Sequence, residues 1–159
     1  MAGLVLLVGL PGAGKTTWAK RLEDERKALR FTPDEWMQPL FDTNDADGRR
    51  WVLESQLFWN LAARALTLDV NVILDYGCWS AEERHLFRTR AQSLGATAEM
   101  VVLDIPFDTL WSRIAARNAN LPPGTFAISH ADLTEWTTRY EPPTPEELMT
   151  WDHHQLIRE

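Results

Sequence analysis

Apolar residues fill positions 4–8 without a break (Leu-Val-Leu-Leu-Val), and the run stops at Gly9. An uninterrupted, partly β-branched run of this length, with no polar alternation, predicts a strand buried on both faces, as in a parallel sheet. A helix is predicted to begin near Gly14 or Lys15 and to carry Trp18, Ala19 and Leu22 on one face. Leu29 to Thr32 predicts a second strand, ended by Pro33, which places Asp34 and Glu35 in the first turn of the next helix. Asp42 to Gly48 is polar and turn-rich, hence a surface loop. From about Trp51 to Leu68, Leu53, Leu57, Leu61, Ala65 and Leu68 recur at helical spacing and predict one long amphipathic helix.

Val70 to Asp75 predicts the next strand, running into Tyr76-Gly77, and Ser80-Ala81-Glu82-Glu83 has the spacing of a capping box. Ala98 to Leu103 predicts a fourth strand, ending at Asp104 before Pro106 opens a helix with Leu110, Trp111, Ile114 and Ala115. Ala119 to Thr125 suits an exposed mobile segment. Ser129 with Asp132, and Thr144 with Glu147, mark two further helix starts, and His153 to Arg158 predicts a short last strand. Strands alternating with helices of crossover length predict an α/β architecture of three layers, with a parallel sheet covered on both faces.

The first strand and helix enclose Gly9-Leu10-Pro11-Gly12-Ala13-Gly14-Lys15-Thr16-Thr17, which satisfies G-x-x-x-x-G-K-[ST] in the strand-to-helix setting that a P-loop requires. Glycines let the backbone turn so that successive N–H groups converge at a helix N-terminus, where the dipole and the orphan donors favour phosphate oxygens. The expected ligand is therefore a nucleotide polyphosphate. Lys15 would reach its β and γ oxygens, and the Thr16 hydroxyl would hold Mg²⁺.

Ligands of open parallel sheets bind beyond the carboxyl ends of the strands, and three acids stand there. Asp75 is the better candidate for the Mg²⁺ shell and Asp104 the second, although either could simply cap the helix after it. Asp34 is placed to accept a proton from a substrate hydroxyl, unless it serves only as a helix N-terminal acid. Arg113 and Arg117, four residues apart, can face the same side and spread charge on a transferring phosphoryl group; solvated surface arginines would show the same spacing. Arg84 and Arg88 read as surface residues and Trp18, Trp59 and Trp111 as core; Trp36 and Trp79 also read as core, although each follows a candidate acid and could line an acceptor pocket.

Composition narrows the partners. The length of 159 residues suits one compact unit. The net charge of −7, with every lysine at or before Lys27 and an acidic excess from Asp34 to Glu54, disfavours long nucleic acid and anionic membrane. No run is long enough for a membrane span, and the first residues lack a basic leader, so a cytoplasmic protein is expected. Cys78 is the sole cysteine and reads as a buried, inert thiol, and none of the four histidines has a metal or triad spacing.

The P-loop with Trp18-Ala19, Asp34 after the second strand, Val72-Ile73-Leu74-Asp75, and Arg113 with Arg117-Asn118 together resemble the P-loop kinases of the zeta toxin, chloramphenicol phosphotransferase and polynucleotide kinase group. Leu121-Pro122-Pro123-Gly124-Thr125-Phe126 and Tyr140-Glu141-Pro142-Pro143-Thr144 are similar to bacterial members of that group. The resemblance implies a five-stranded sheet ordered 2-3-1-4-5 and one kinase domain over residues 1–159. It also implies ATP as donor, Asp34 as general base, and a lid near 113–130 carrying Arg113 and Arg117. Met37 stands where polynucleotide kinase has an arginine for the acceptor's phosphate. The expected acceptor is thus a small uncharged or cationic alcohol. A 5′-hydroxyl oligonucleotide is the alternative within the class, and a slow ATPase switch acting on a protein partner is the alternative outside it. The guanine signature Asn-Lys-x-Asp is absent.

Overall fold

The three apolar runs become the three central strands: β1 (Gly3–Val8), β3 (Val72–Gly77) and β4 (Thr97–Leu103). The computed structural model describes residues 2–158. β2 (Leu29–Phe31) and β5 (His153–Ile157) flank them, giving one sheet ordered β2-β3-β1-β4-β5 in which every pairing is parallel. The chain is thus a three-layer α/β fold of the expected strand order.

Alternate residues of a strand point to opposite faces, so β1 feeds two cores. Leu4, Leu6 and Val8 pack with Met37, Phe58, Ala62 and Phe87. Val5 and Leu7 pack with Ala19, Leu22, Leu110, Ile114 and Leu133. The first face is covered by α2 (Pro33–Phe41), α4 (Phe58–Thr67) and α5 (Ala81–Ser93), the second by α1 (Lys15–Arg26), α6 (Phe107–Asn118) and α7 (His130–Arg139). Helix starts follow the capping residues. Ser80 Oγ accepts from the Glu83 N–H at 3.1 Å, Ser129 and Asp132 form a full capping box, and Thr144 Oγ1 accepts from the Glu147 N–H at the start of α8 (Pro145–Leu148). No helix among the described residues is long and apolar enough to cross a membrane.

Four expectations fail. The helix predicted from Trp51 to Leu68 is interrupted: α3 (Arg49–Val52) passes into a π-helical turn, Leu53–Leu57, before α4. A π turn inserts one residue, so Leu53 and Phe58, five apart, share the buried face, while Leu57 and Leu61 are 56% and 49% exposed and Leu68 faces outward as well. Arg84, expected at the surface, is wholly buried: Nε and Nη2 donate to Glu147 Oε1 and Oε2 at 2.7 and 3.0 Å, and Nη1 to the Cys78 carbonyl at 2.9 Å. Trp36, expected in the core, is 46% exposed and meets Phe58 edge-on, and Ala115 lies outside the buried face of α6. Trp18, Trp59, Trp79 and Trp111 are half-buried at the margins of the two cores.

Candidate active site

The P-loop turns at Gly12 (φ +83°) and Gly14 (φ +93°) and delivers Lys15 as the first residue of α1. Gly14 is the N-cap and supplies no side-chain bond, so the orphan N–H groups of the first turn are left for an anion. The loop is braced from three sides. The Gly9 N–H donates to the Gly77 carbonyl at 3.1 Å, Arg113 Nη1 donates to the Gly12 carbonyl at 3.3 Å, and the Lys15 ammonium donates to the Leu10 carbonyl at 2.9 Å. A Cβ at Gly12 would meet Ile114 Cγ1 at 2.9 Å and the Leu110 carbonyl oxygen at 3.0 Å, in a left-handed conformation that only glycine adopts without strain. Gly12→Ala therefore pushes the loop off α6. Expected is a loss of about 1–3 kcal/mol of stability by chemical denaturation, together with weaker nucleotide binding.

Asp75 is 4% exposed at the end of β3. Its Oδ2 accepts from Thr16 Oγ1 at 2.7 Å and Thr32 Oγ1 at 2.9 Å, and its Oδ1 is buried without a hydrogen-bond partner. Burial pushes this carboxyl up, with Lys15, Thr16 and Thr32 opposing the rise. A hydroxyl beside an orphaned carboxylate oxygen is a hard-oxygen donor set that fits Mg²⁺, an ion bound through one or two carboxylates plus substrate phosphates and water. Asp104 is arranged differently: half-exposed beyond β4, it accepts from Arg158 Nε at 3.0 Å.

Asp34 sits in the first turn of α2 and is held by a residue that the sequence reading overlooked. Arg50 Nη1, from α3, donates to Asp34 Oδ1 at 2.5 Å and to the Asn44 carbonyl at 3.2 Å. Met37, where an arginine was sought, is core. The cation reaches the acid from 16 residues onward, across the Asp42–Gly48 loop. The one local signal was its four-residue spacing to Glu54.

Charge gathers around the Lys15 ammonium. Burial lowers its pKa, Asp75 and Asp34 oppose the fall, and Arg50 and Arg117 reinforce it. Arg117 Nε is buried without a hydrogen-bond partner. The two arginines of α6 therefore differ, Arg113 lying against the P-loop carbonyls and Arg117 among the charges around Lys15. Beyond them, Asn118 closes residues 119–127 into a loop: its Nδ2 donates to the Ile128 carbonyl at 2.6 Å, and its Oδ1 accepts the Ile128 N–H at 3.1 Å. The far end of that loop reaches α2, where a Cβ on Gly124 would meet Glu35 Cα at 3.3 Å. Cys78 is buried, and burial raises its thiol pKa well above the usual range, as expected of an inert thiol.

Comparison with known proteins agrees with the fold. The sequence profile of the AAA_33 family, described as an AAA domain, matches residues 4–143. Kti12 from Chaetomium thermophilum, in complex with ADP-AlF3, superposes with a TM-score of 0.75 at 18% identity, covering 98% of this chain and 88% of that one. The APS kinase of Mycobacterium tuberculosis, in complex with AMPPNP and APS, gives 0.66 at 15% identity, covering 98% and 88%. A gluconokinase from Sinorhizobium meliloti 1021 gives 0.62 at 15% identity, covering 98% and 82%. No curated protein sequence matches this chain.

Proposed function

We propose that this chain, which belongs to the AAA_33 family, is a Mg²⁺- and ATP-dependent kinase that moves the γ-phosphoryl group to a hydroxyl of a small molecule. One observation carries the reading: Asp75, Asp34, Arg50 and Arg117, each from a different element, all bear on the charge of the P-loop ammonium of Lys15. A nucleotide-holding loop alone needs Lys15 and Asp75. A carboxylate held close beside them supplies what transfer to an alcohol requires and simple nucleotide binding does not. The likeness of fold to a gluconokinase and an APS kinase supports it.

In this reading the P-loop N–H groups and Lys15 grip the β and γ phosphates, and Thr16 and Asp75 hold Mg²⁺. When bound, the metal neutralises charge shared between phosphate oxygens. Asp34 takes the acceptor's proton as its oxygen attacks the γ-phosphorus and the bond to ADP breaks. Arg117 spreads the charge of the moving group, and Arg113 keeps the P-loop carbonyls turned away from it. The loop 119–127 is the lid, excluding water from the space between the P-loop and α2. Arg50 gives the surroundings of Asp34 a positive neighbour within a stretch of net acidic charge.

Asp34→Asn keeps the size of the side chain and removes the proton acceptor. Expected is Mg-AMPPNP affinity within about twofold of wild type and transfer slower by roughly 10²- to 10⁴-fold. The assay follows labelled γ-phosphate over sugars, sugar acids, nucleosides, aminoglycosides and 5′-hydroxyl oligonucleotides. Water as the sole acceptor, or full transfer by Asp34→Asn, would overturn the reading.

A further inference from the structure

The π turn carries a buried carboxyl, that of Glu54. Glu54 and Ser55 lie four and three residues before Phe58 and share its buried face, and the inserted residue brings Leu53, five before it, onto the same face. Glu54 is 7% exposed, and its Oε2 makes no hydrogen bond, with Arg50 Nε 3.5 Å away. The turn is tied to the catalytic end of β3, because the Tyr76 hydroxyl donates to the Glu54 carbonyl at 2.9 Å. A single guanidinium therefore spans two carboxyls, Asp34 through Nη1 and Glu54 through Nε.

We propose that Glu54 and Arg50 are a positioning unit for Asp34, in which the charge on Glu54 decides how fully the Arg50 guanidinium commits to the base. The proposal rests on Asp34 as the base for its purpose, while the coupling is a property of these three side chains whatever is bound. A guanidinium placed between two acids favours the one that is ionised. The groups around Glu54 are Arg50 from α3, Asp34 from α2, Tyr76 and Cys78 from the end of β3, and Glu83 from α5, while Arg90 of α5 donates to the neighbouring Ser55 carbonyl. Burial pushes the Glu54 carboxyl up to about 8; Arg50 works against this, and Glu83 and Asp34 add to it. Near neutral pH Glu54 holds its proton, and Arg50 is left to Asp34. As pH rises through that value Glu54 ionises and draws the guanidinium back.

The test is a carboxyl ¹³C NMR titration of the full chain, with the Glu54 resonance assigned by its loss in Glu54→Gln. It needs neither ATP nor acceptor, so a chain without kinase activity can pass it and an active kinase can fail it. The expected wild-type midpoint is about 8. Asp34→Asn removes a like charge and releases Arg50 to Glu54, so the midpoint falls by about half a pH unit or more. Arg50→Lys, whose point charge cannot span both acids, raises it. Amide spectra identify folded variants, and Asp34→Asn, altered at a half-exposed side chain, carries the decision should Arg50→Lys not fold. A midpoint that does not respond to Asp34→Asn, or one in the ordinary glutamate range, overturns the proposal.

Discussion

Lys15→Met removes nucleotide-dependent chemistry. Methionine keeps the length of the stem and deletes the ammonium, which here donates to the Leu10 carbonyl and lies among Asp75, Asp34, Arg50 and Arg117. Two effects act in the same direction. In the proposed site the γ-phosphate would lose the cation assigned to it, and Asp75 and Asp34 would lose the charge that offsets their repulsion of a polyphosphate. Expected is a fall of at least about 100-fold in Mg-AMPPNP affinity by calorimetry and at least about 1,000-fold in phosphoryl transfer. Wild-type affinity in Lys15→Met would mean that the nucleotide is held elsewhere.

The second large effect concerns stability and lies behind the site. Arg84→Met leaves Glu147 and the Cys78 carbonyl without their donors, in a place largely closed to water, where Arg84 is wholly buried and the Glu147 side chain is 17% exposed. Breaking one side of a buried ion pair costs about 3–5 kcal/mol, because the remaining charge is uncompensated. At this chain length that corresponds to a melting temperature lower by roughly 10 °C in differential scanning calorimetry. Replacing both partners, Arg84→Met with Glu147→Met, should recover much of the loss, since neither charge is then stranded. An unchanged melting temperature for the single variant would show that α8 contributes nothing through this contact. Its position gives the pair a reach into function: Arg84 holds the Cys78 carbonyl, one residue beyond Gly77, and a Cβ on Gly77 would touch Lys15 Cε at 3.4 Å.

Local spacing explains what could be read without coordinates. The strand starts, the capping residues Ser80, Ser129 and Thr144, and the P-loop each depend on residues within a few positions of one another. Asp34 and Asp75 were legible for a related reason, since Asp34 comes three residues after β2 and Asp75 lies in the second half of β3, and a parallel sheet brings its carboxyl ends to one side. Arg84 and Arg88 could not be told apart. Both are arginines on α5, and the acid that buries the first lies 63 residues away.

The amino-acid order by itself determined the layers of the sheet and a phosphate-holding turn, because hydrophobic period and glycine placement act through the backbone of a few adjacent residues. Only the tertiary structure decided that the partner of Asp34 is Arg50, that Glu54 is buried behind it, and that Asp75 and not Asp104 lies beside the Thr16 hydroxyl. A helical period counts equal steps and carries no mark of the residue that a π turn inserts. The side on which Glu54, Leu57 and Leu61 fall therefore depends on what packs against the whole helix.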